Sequence, residues 1–396
     1  MNKKKVTIDI GLNIIASSLP TLALQLLIFP LIAASVSEDD YGLILTIVGI
    51  VNVVAGVIGS SLNNTRLIHN EKYVTKELRG DFNFLVVIGL LLTLVLMPVI
   101  LFIYLDLDNP FSLALLSLTV VFSLLALYNS VSFRIELNYF RILFNSFALI
   151  VGYGVGFLLF MIYGQWELIF FFGYLSSLLY IFFNSRLWKE PFVRTPLLGQ
   201  TLKYILFLAF ANLLANALIY IDRFLLYPFL GGAVVAVFYV SSLFGKVISM
   251  AITPMTGVIL SYVAKMEKIT RKAIAYILLF SLGIGSLGYL GCVVICPTIL
   301  RFLYPTMAEE AMQFFYINTL TAILGAVSAV LNPIIMKFRN ISWQLTIGVA
   351  NLVVYISLSL PLLNFFGLMG FCVGALIAAV IKLLIAMTVG LMRLKA

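Results

Sequence analysis

The chain has 396 residues, of which 63% are hydrophobic and only 10% charged, with a mean hydropathy of +1.13. A soluble domain is roughly half apolar and about a quarter charged, so this composition excludes an ordinary water-soluble globule. The net charge of +9 reflects where Lys and Arg fall along the chain, and it points to membrane topology and lipid headgroups rather than to nucleic acid.

In chain order, "MNKKKVTIDIG" is a basic anchor running straight into a span as long as the others, so it reads as a retained first helix and not as a cleaved signal peptide. Runs of about twenty residues without a central charge are the length a helix needs to cross ~30 Å of hydrocarbon. Twelve are predicted: Ile10–Ala34, Gly42–Ser61, Phe82–Leu105, Phe111–Val131, Ile142–Tyr163, Trp166–Phe183, Tyr204–Leu230, Ala233–Tyr262, Ile274–Cys296, Met312–Ile335, Trp343–Leu363 and Phe366–Met392. Pro20 and Pro30 predict kinks in the first, and the eighth is long enough to be tilted or bent at Pro254. The fold class is therefore an all-α polytopic membrane protein.

One set of connections holds nearly all the cations: Lys3–Lys5, Arg66, Lys72, Lys76, Arg79, Arg134, Arg141, Arg186, Lys189, Arg194, Lys203, Lys265, Lys268, Arg271, Lys272, Lys337, Arg339, Arg393 and Lys395. The alternate set, "SEDDYG", "DLDNP", "YGQWE", "YPFLGG", "YPTMAEE" and "LLNFFG", is short and mostly acidic, with Arg301 its one cation. The positive-inside rule puts both termini in the cytoplasm, and twelve spans satisfy that parity. The two long inner links are "LNNTRLIHNEKYVTKELRGD" and "NSRLWKEPFVRTPLLGQTLK". The second carries Pro191, Pro196 and Gly199 and divides the chain into residues 1–184, a cytoplasmic linker at 185–203, and residues 204–396, six spans on each side.

Cys292, Cys296 and Cys372 fall inside apolar runs and read as packing residues, and the single histidine, His69, lies in a polar loop. No His-based catalytic or metal constellation exists, and no cofactor or metal is expected.

Four spans carry polar stripes at helical spacing, three and four residues apart. On the seventh, Asn212, Asn216, Tyr220, Arg223 and Tyr227 form one stripe, with Asp222 about 100° to its side. The eighth carries Ser242, Lys246, Ser249, Thr253 and Thr256; the second carries Gly49, Asn52, Gly56, Gly59 and Asn63; the first carries Asn13, Ser17, Thr21 and Gln25. Small and hydroxyl residues also pack membrane helices together, and that reading stands beside an aqueous lining. A cation within a stripe needs water or a counter-charge, which favours the lining on the seventh and eighth spans.

Counting ~1.5 Å per residue, Arg223 lies near the outer boundary, where it either anchors or pairs with Asp222. Lys246 lies roughly 20 Å in from Ala233, too deep to snorkel easily, and is the stronger candidate. Lys382 lies nearer the inside and is expected to snorkel. Three intramembrane cations against the one acid Asp222 favour an anionic passenger with a phosphate or pyrophosphate head.

Three segments resemble a known family. "FPLIAASVSEDDYGLILTIVGIVNVVAGVIGSSLNNTRLI" is similar to the early segment of polysaccharide flippases, where an apolar helix ends in an acidic turn followed by Tyr-Gly. "YIDRFLLYPFLGGAVVAVFYVSSLF", with Asp222, Arg223, Gly231 and Gly232, and "SFRIELNYFRILFNSF" resemble two further segments. The family comprises the O-antigen and capsule repeat-unit flippases of the multidrug, oligosaccharidyl-lipid and polysaccharide exporter superfamily. The resemblance implies two six-helix lobes with a cavity lined by helices one, two, seven and eight. It also implies transport of an undecaprenyl-pyrophosphate-linked oligosaccharide from the inner to the outer leaflet of a bacterial plasma membrane. One departure is that the first span holds no interior charge.

The expected roles are then Lys246 and Arg223 against pyrophosphate, with Asp222 beside them. Asn212, Asn216, Tyr220, Ser242, Ser249, Asn52 and Gln25 make up the polar lining that meets the sugars. Expected partners are the lipid-linked oligosaccharide, membrane lipids and other glycan-assembly proteins. Two alternatives remain: a multidrug antiporter of the same fold, against which the scarcity of buried acid argues, and a membrane-integral glycan polymerase or ligase. The short outer connections leave such an enzyme little room for a catalytic loop.

Overall fold

The computed structural model describes residues 3–75, 80–105, 109–264, 269–339 and 342–392, with side chains described from residue 11 onward except at 75, 250–255, 257–264, 271 and 342. The cations Lys3–Lys5, Lys76, Arg79, Lys265, Lys268, Arg271, Arg393 and Lys395, together with Thr253 and Pro254, lie outside the described side chains.

Among the described residues the structure is helical and contains no strand. Helix α1 (Lys3–Ala23) passes through a π-helical turn at Leu24–Ile28 into α2 (Phe29–Ala33). There follow α3 (Glu38–Thr75), α4 (Asp81–Leu105), α5 (Pro110–Asn129), α6 (Val131–Ile135), α7 (Tyr139–Tyr163) and α8 (Glu167–Asn184). After a 3-10 turn at Leu187–Lys189 come α9 (Leu198–Ala264), α10 (Arg271–Leu303), α11 (Ala308–Ala329), α12 (Asn332–Phe338) and α13 (Ser342–Leu391).

Ten helices among the described residues are long and apolar enough to cross a membrane. Two of them reverse internally. Helix α9 breaks at Gly231 (φ 81°) and α13 at Gly367 (φ 59°), the left-handed region that a residue without Cβ enters freely. The arms on either side pair back on one another. Arg223 meets Tyr239 across Gly231, while Tyr355 meets Phe371 and Ser359 meets Gly374 across Gly367. Each glycine replaces the loop expected at "YPFLGG" or "LLNFFG", and counting the arms separately raises ten to about twelve. The molecule is an all-helical polytopic membrane protein.

Its surface fits that class. Phe302, Val294 and Ile103 are 83%, 76% and 74% exposed, whereas Asp81, Thr46, Thr65 and Thr319 are fully buried. Large apolar side chains are exposed while polar ones are buried, the inverse of a soluble protein.

The chain forms two compact units: Met1–Ile32 with Ile44–Ile221, and Ala33–Leu43 with Asp222–Ala396. In the first, α7 and α8 approach closely because a β-carbon at Gly152 or Gly156 would strike the backbone of Phe172–Gly173 or Leu168–Ile169. Ser146 of α7 donates to the Ala16 carbonyl of α1 at 2.6 Å. The kink expected from Pro20 and Pro30 takes the form of the π turn. Pro30 has no N–H for the Leu26 carbonyl, and the register widens so that the Phe29 amide reaches Leu24.

One expectation is corrected. The polar stretch after Ser61 is not a loop: α3 continues as helix to Thr75, and His69 is buried. Its inward face carries polar groups, so no apolar periodicity announces it. Arg66, His69 and Tyr73, at spacings of three and four, are satisfied by Glu190, Thr201 and Asp81 of distant segments.

In the second unit, α10, α12 and α13 share an apolar core that includes Ile274, Leu278, Ile334, Ile335, Ile347 and Val389. Arg339 donates from Nε to the Val389 carbonyl and from Nη2 to those of Gly390 and Met392, satisfying acceptors that the end of α13 leaves open.

Candidate functional site

The predicted stripe on the seventh span divides between the units: Asn212, Asn216 and Tyr220 belong to the first, Asp222 and Arg223 to the second. The second unit gathers the charges. Lys246 Nζ donates to Asp222 Oδ2 at 2.9 Å, and Asp222 Oδ1 accepts the Arg223 backbone N–H at 2.9 Å. The Asp222 side chain is 9% exposed and that of Lys246 29%. Arg223 is buried with its guanidinium 4.9 Å from the Tyr239 ring centroid. Lys246 Nζ lies 5.7 Å from the same ring and 5.9 Å from that of Phe238. Two cations thus flank one aromatic face, a favourable placement for each.

The depth of the pair follows from helix geometry. Asp222 precedes Gly231 by nine residues and Lys246 follows it by fifteen, so their Cα atoms lie ~13 and ~22 Å from the turn. Helical side chains lean toward the N-terminus of their own helix, which for Lys246 is back toward the turn, and its four-carbon stem spans most of the difference. Lys246 therefore finds its counter-charge on the other arm of the same hairpin. Asp222 is the ionic partner of Lys246, and the Arg223 guanidinium lies against Tyr239. Two N–H donors of the ammonium have no further hydrogen-bond partner among the described residues.

Two hydroxyls of the eighth span, Ser242 and Ser249, donate to backbone carbonyls. Ser242 is buried and donates to the Tyr239 carbonyl at 3.1 Å. Ser249 donates to the carbonyls of Gly245 at 2.8 Å and Ala322 at 3.2 Å. Ser241, Gly245 and Ser249, four apart, form the face against α11, where Asn318 donates to Ser241 at 2.7 Å and a β-carbon at Gly245 would press on Ala322. For Ser249 the packing reading describes what the side chain touches.

In the first unit Asn212 donates to Ser61 Oγ at 2.9 Å, and Asn216 donates to the Asn212 carbonyl and abuts Gly56. The second-span and seventh-span stripes thus face one another. Asn52 accepts from the Tyr174 hydroxyl at 3.2 Å. Gln25 lies on the π turn, its Oε1 buried with no hydrogen-bond partner among the described residues. Lys382 is partly buried on the last arm.

Sequence reasoning missed two assemblies. In the second unit the acidic turn docks on the Gly231–Gly232 turn: Asp39 Oδ1 accepts the Ala233 N–H at 3.0 Å, capping the eighth span's helix. Tyr41 packs there against Tyr239 and Tyr304, its hydroxyl 3.3 Å from that of Tyr304. The signal was present, because these are the two segments that carry the family resemblance; they interlock. In the first unit, Asp81 accepts from Tyr73 Oη at 2.8 Å, Thr195 N at 2.7 Å and Thr195 Oγ1 at 2.5 Å, and Arg66 pairs with Glu190 at 2.5 Å. These bonds tie the 185–203 connection to α3 and α4, and nothing local in the sequence marks them.

The described residues thus form membrane-length helices, two of them folded back as hairpins, with the Asp222–Lys246 ion pair inside the second unit. No protein-family model matches the chain, and no curated protein matches it. Among solved structures the fold is similar to that of a lipid II flippase, MurJ, in an inward closed conformation (TM-score 0.74, 15% identity, covering 95% of this chain and 86% of that one). It is also similar to an outward-facing multidrug resistance MATE family transporter of the MOP superfamily (TM-score 0.61, 15% identity, 98% and 94% covered). A third is a point mutant of the Vibrio cholerae MATE transporter VcmN (TM-score 0.60, 15% identity, 98% and 95% covered). The fold is the one that MurJ and the MATE transporters share.

Proposed function

We propose that this protein is a flippase that moves an undecaprenyl-pyrophosphate-linked oligosaccharide from the inner to the outer leaflet of a bacterial plasma membrane by alternating access, with both termini cytoplasmic. The division into lobes at 1–184 and 204–396, joined by the 185–203 linker, belongs to the same reading. The observation that carries it is Lys246, a cation set about 22 Å from the outer turn that spends one N–H on Asp222 and, among the described residues, has two more without a hydrogen-bond partner. A cation inside a membrane is costly and marks a functional site, and the open N–H donors of Lys246 suit a passenger of opposite sign. A pyrophosphate matches it in charge and in the N–H donors it accepts. Fold similarity to a lipid II flippase lends support. The chemistry requires translocation of a head and no bond making, so the protein acts as a transporter. Asn212, Asn216, Tyr220, Asn52 and Gln25 supply amides and a hydroxyl suited to sugars.

The test is transport in vesicles reconstituted with the purified chain and a fluorescent undecaprenyl-pyrophosphate oligosaccharide. Lys246→Ala is expected to cut the rate at least tenfold, and an unchanged rate would remove the cluster from the mechanism. A multidrug antiporter is the second reading, supported by likeness to MATE transporters. It predicts extrusion of a lipophilic cation from the same vesicles, which the flippase reading does not, because Asp222 is already neutralised by Lys246.

A further inference from the structure

Asp222 and Lys246 form a pair of unequal exposure: the aspartate side chain is 9% exposed and the lysine side chain 29%, and among the described residues two N–H donors of the ammonium have no hydrogen-bond partner. Asp222 is held in place by a second bond, from the Arg223 amide, so it stays where it is when Lys246 moves. Lys246 rides on a flexible four-carbon stem; Arg223 is buried and stacked on Tyr239. We propose that Asp222 is an internal competitor for the anionic head: it occupies Lys246 when the site is empty and retakes it to release the passenger. This rests on the reading of Lys246 as a head-binding cation.

The physical case is one of exchange. An anion that reaches Lys246 takes up the two remaining N–H donors and then draws the ammonium from Asp222. A buried carboxylate stripped of its partner is unfavourable, and that cost weakens the bound state without altering the path of approach. A carrier needs such a term, because a head gripped by cations that no carboxylate can retake would leave slowly. Proximity supplies the rest, since the carboxylate returns from within the same hairpin at no cost in translational freedom.

Binding to the purified full-length chain in detergent tests the proposal, measured by titration calorimetry with inorganic pyrophosphate and, separately, geranylgeranyl diphosphate. Asp222→Asn is expected to tighten binding on the order of tenfold, the size of a partly buried ion pair. Asp222→Glu, which keeps the charge, should stay within about twofold of wild type on the same grounds. Tighter binding of the prenyl diphosphate alone identifies the lipid head as the source, and tightening with both probes identifies the diphosphate itself; each supports the competitor. If Lys246→Ala weakens binding but Asp222→Asn leaves it equal or weaker, the competitor role is overturned and head binding stands. If neither probe depends on Lys246, or neither binds wild type, head binding fails and the competitor with it. Should Asp222→Asn not fold, wild-type protein labelled with 13C-aspartate decides. Pyrophosphate should shift a carboxylate stretching band in the infrared difference spectrum, and the absence of any shift overturns the proposal.

Discussion

Replacing Gly42 by alanine tests the interlock between the acidic turn and the Gly231–Gly232 hairpin. A β-carbon at residue 42 would overlap the Gly232 carbonyl oxygen and lie 2.7 Å from Gly232 Cα. Carbon atoms pack best at ~3.5–4.0 Å, so the two backbones must part by about 1 Å. No flexible side chain is there to give way. A 1 Å opening stretches the 3.0 Å bond from the Ala233 amide to Asp39 beyond hydrogen-bonding range. Overpacking of ~1–3 kcal/mol and a lost cap of ~0.5–2 kcal/mol together give roughly 2–4 kcal/mol of destabilisation. The assay is thermal unfolding in one detergent, followed by the fluorescence of Trp166, Trp188 and Trp343. Gly291→Ala is the control: its β-carbon meets nothing within 4 Å, and alanine in a helix interior gains ~0.5–1 kcal/mol over glycine. Equal midpoints for the two variants would refute the interlock.

Lys246→Met leaves Asp222 without its ionic partner; between ~0–1 kcal/mol for exposed pairs and ~3–5 kcal/mol for broken buried ones, a loss near 2 kcal/mol is expected. The Lys246→Met/Asp222→Asn double variant should recover most of it, and additive losses in the cycle would show that the pair does not act as one. Asp81→Ala removes the acceptor of three hydrogen bonds and is expected to speed proteolysis within 185–203 at least several-fold, with an unchanged cleavage rate counting against the clasp.

The sequence displays what the solvent dictates and conceals what distant partners dictate. Each membrane arm is a predominantly apolar run, because hydrocarbon demands it, and the observed helices overlie the expected spans. Helix α3 beyond Ser61 escaped because its inward face is Arg66, His69 and Tyr73, polar groups that only Glu190, Thr201 and Asp81 make tolerable. Charge content alone reads as a loop; the folded chain supplies the neutralising contacts. The glycine reversals escaped for another reason. "LGGA" and "FFGL" mark turns, yet their brevity depends on one positive φ angle in each.

The ionic cluster shows how the two kinds of information combine. A lysine and an aspartate stranded in apolar runs are conspicuous, since each must be compensated or it would not be there. That they compensate each other depends on a hairpin geometry that no periodicity encodes: nine residues down one arm, fifteen down the other, and a side chain leaning back toward the turn. Asp39 and Asp222 hold different places in the hairpin of the second unit. One caps a helix at the turn, where the positive end of the helix dipole lies. The other holds a cation about 13 Å further in. Because Asp222 is matched by Lys246, Arg223 adds a second positive charge to a cluster that holds one carboxylate. The stack on Tyr239 eases the burial of that charge.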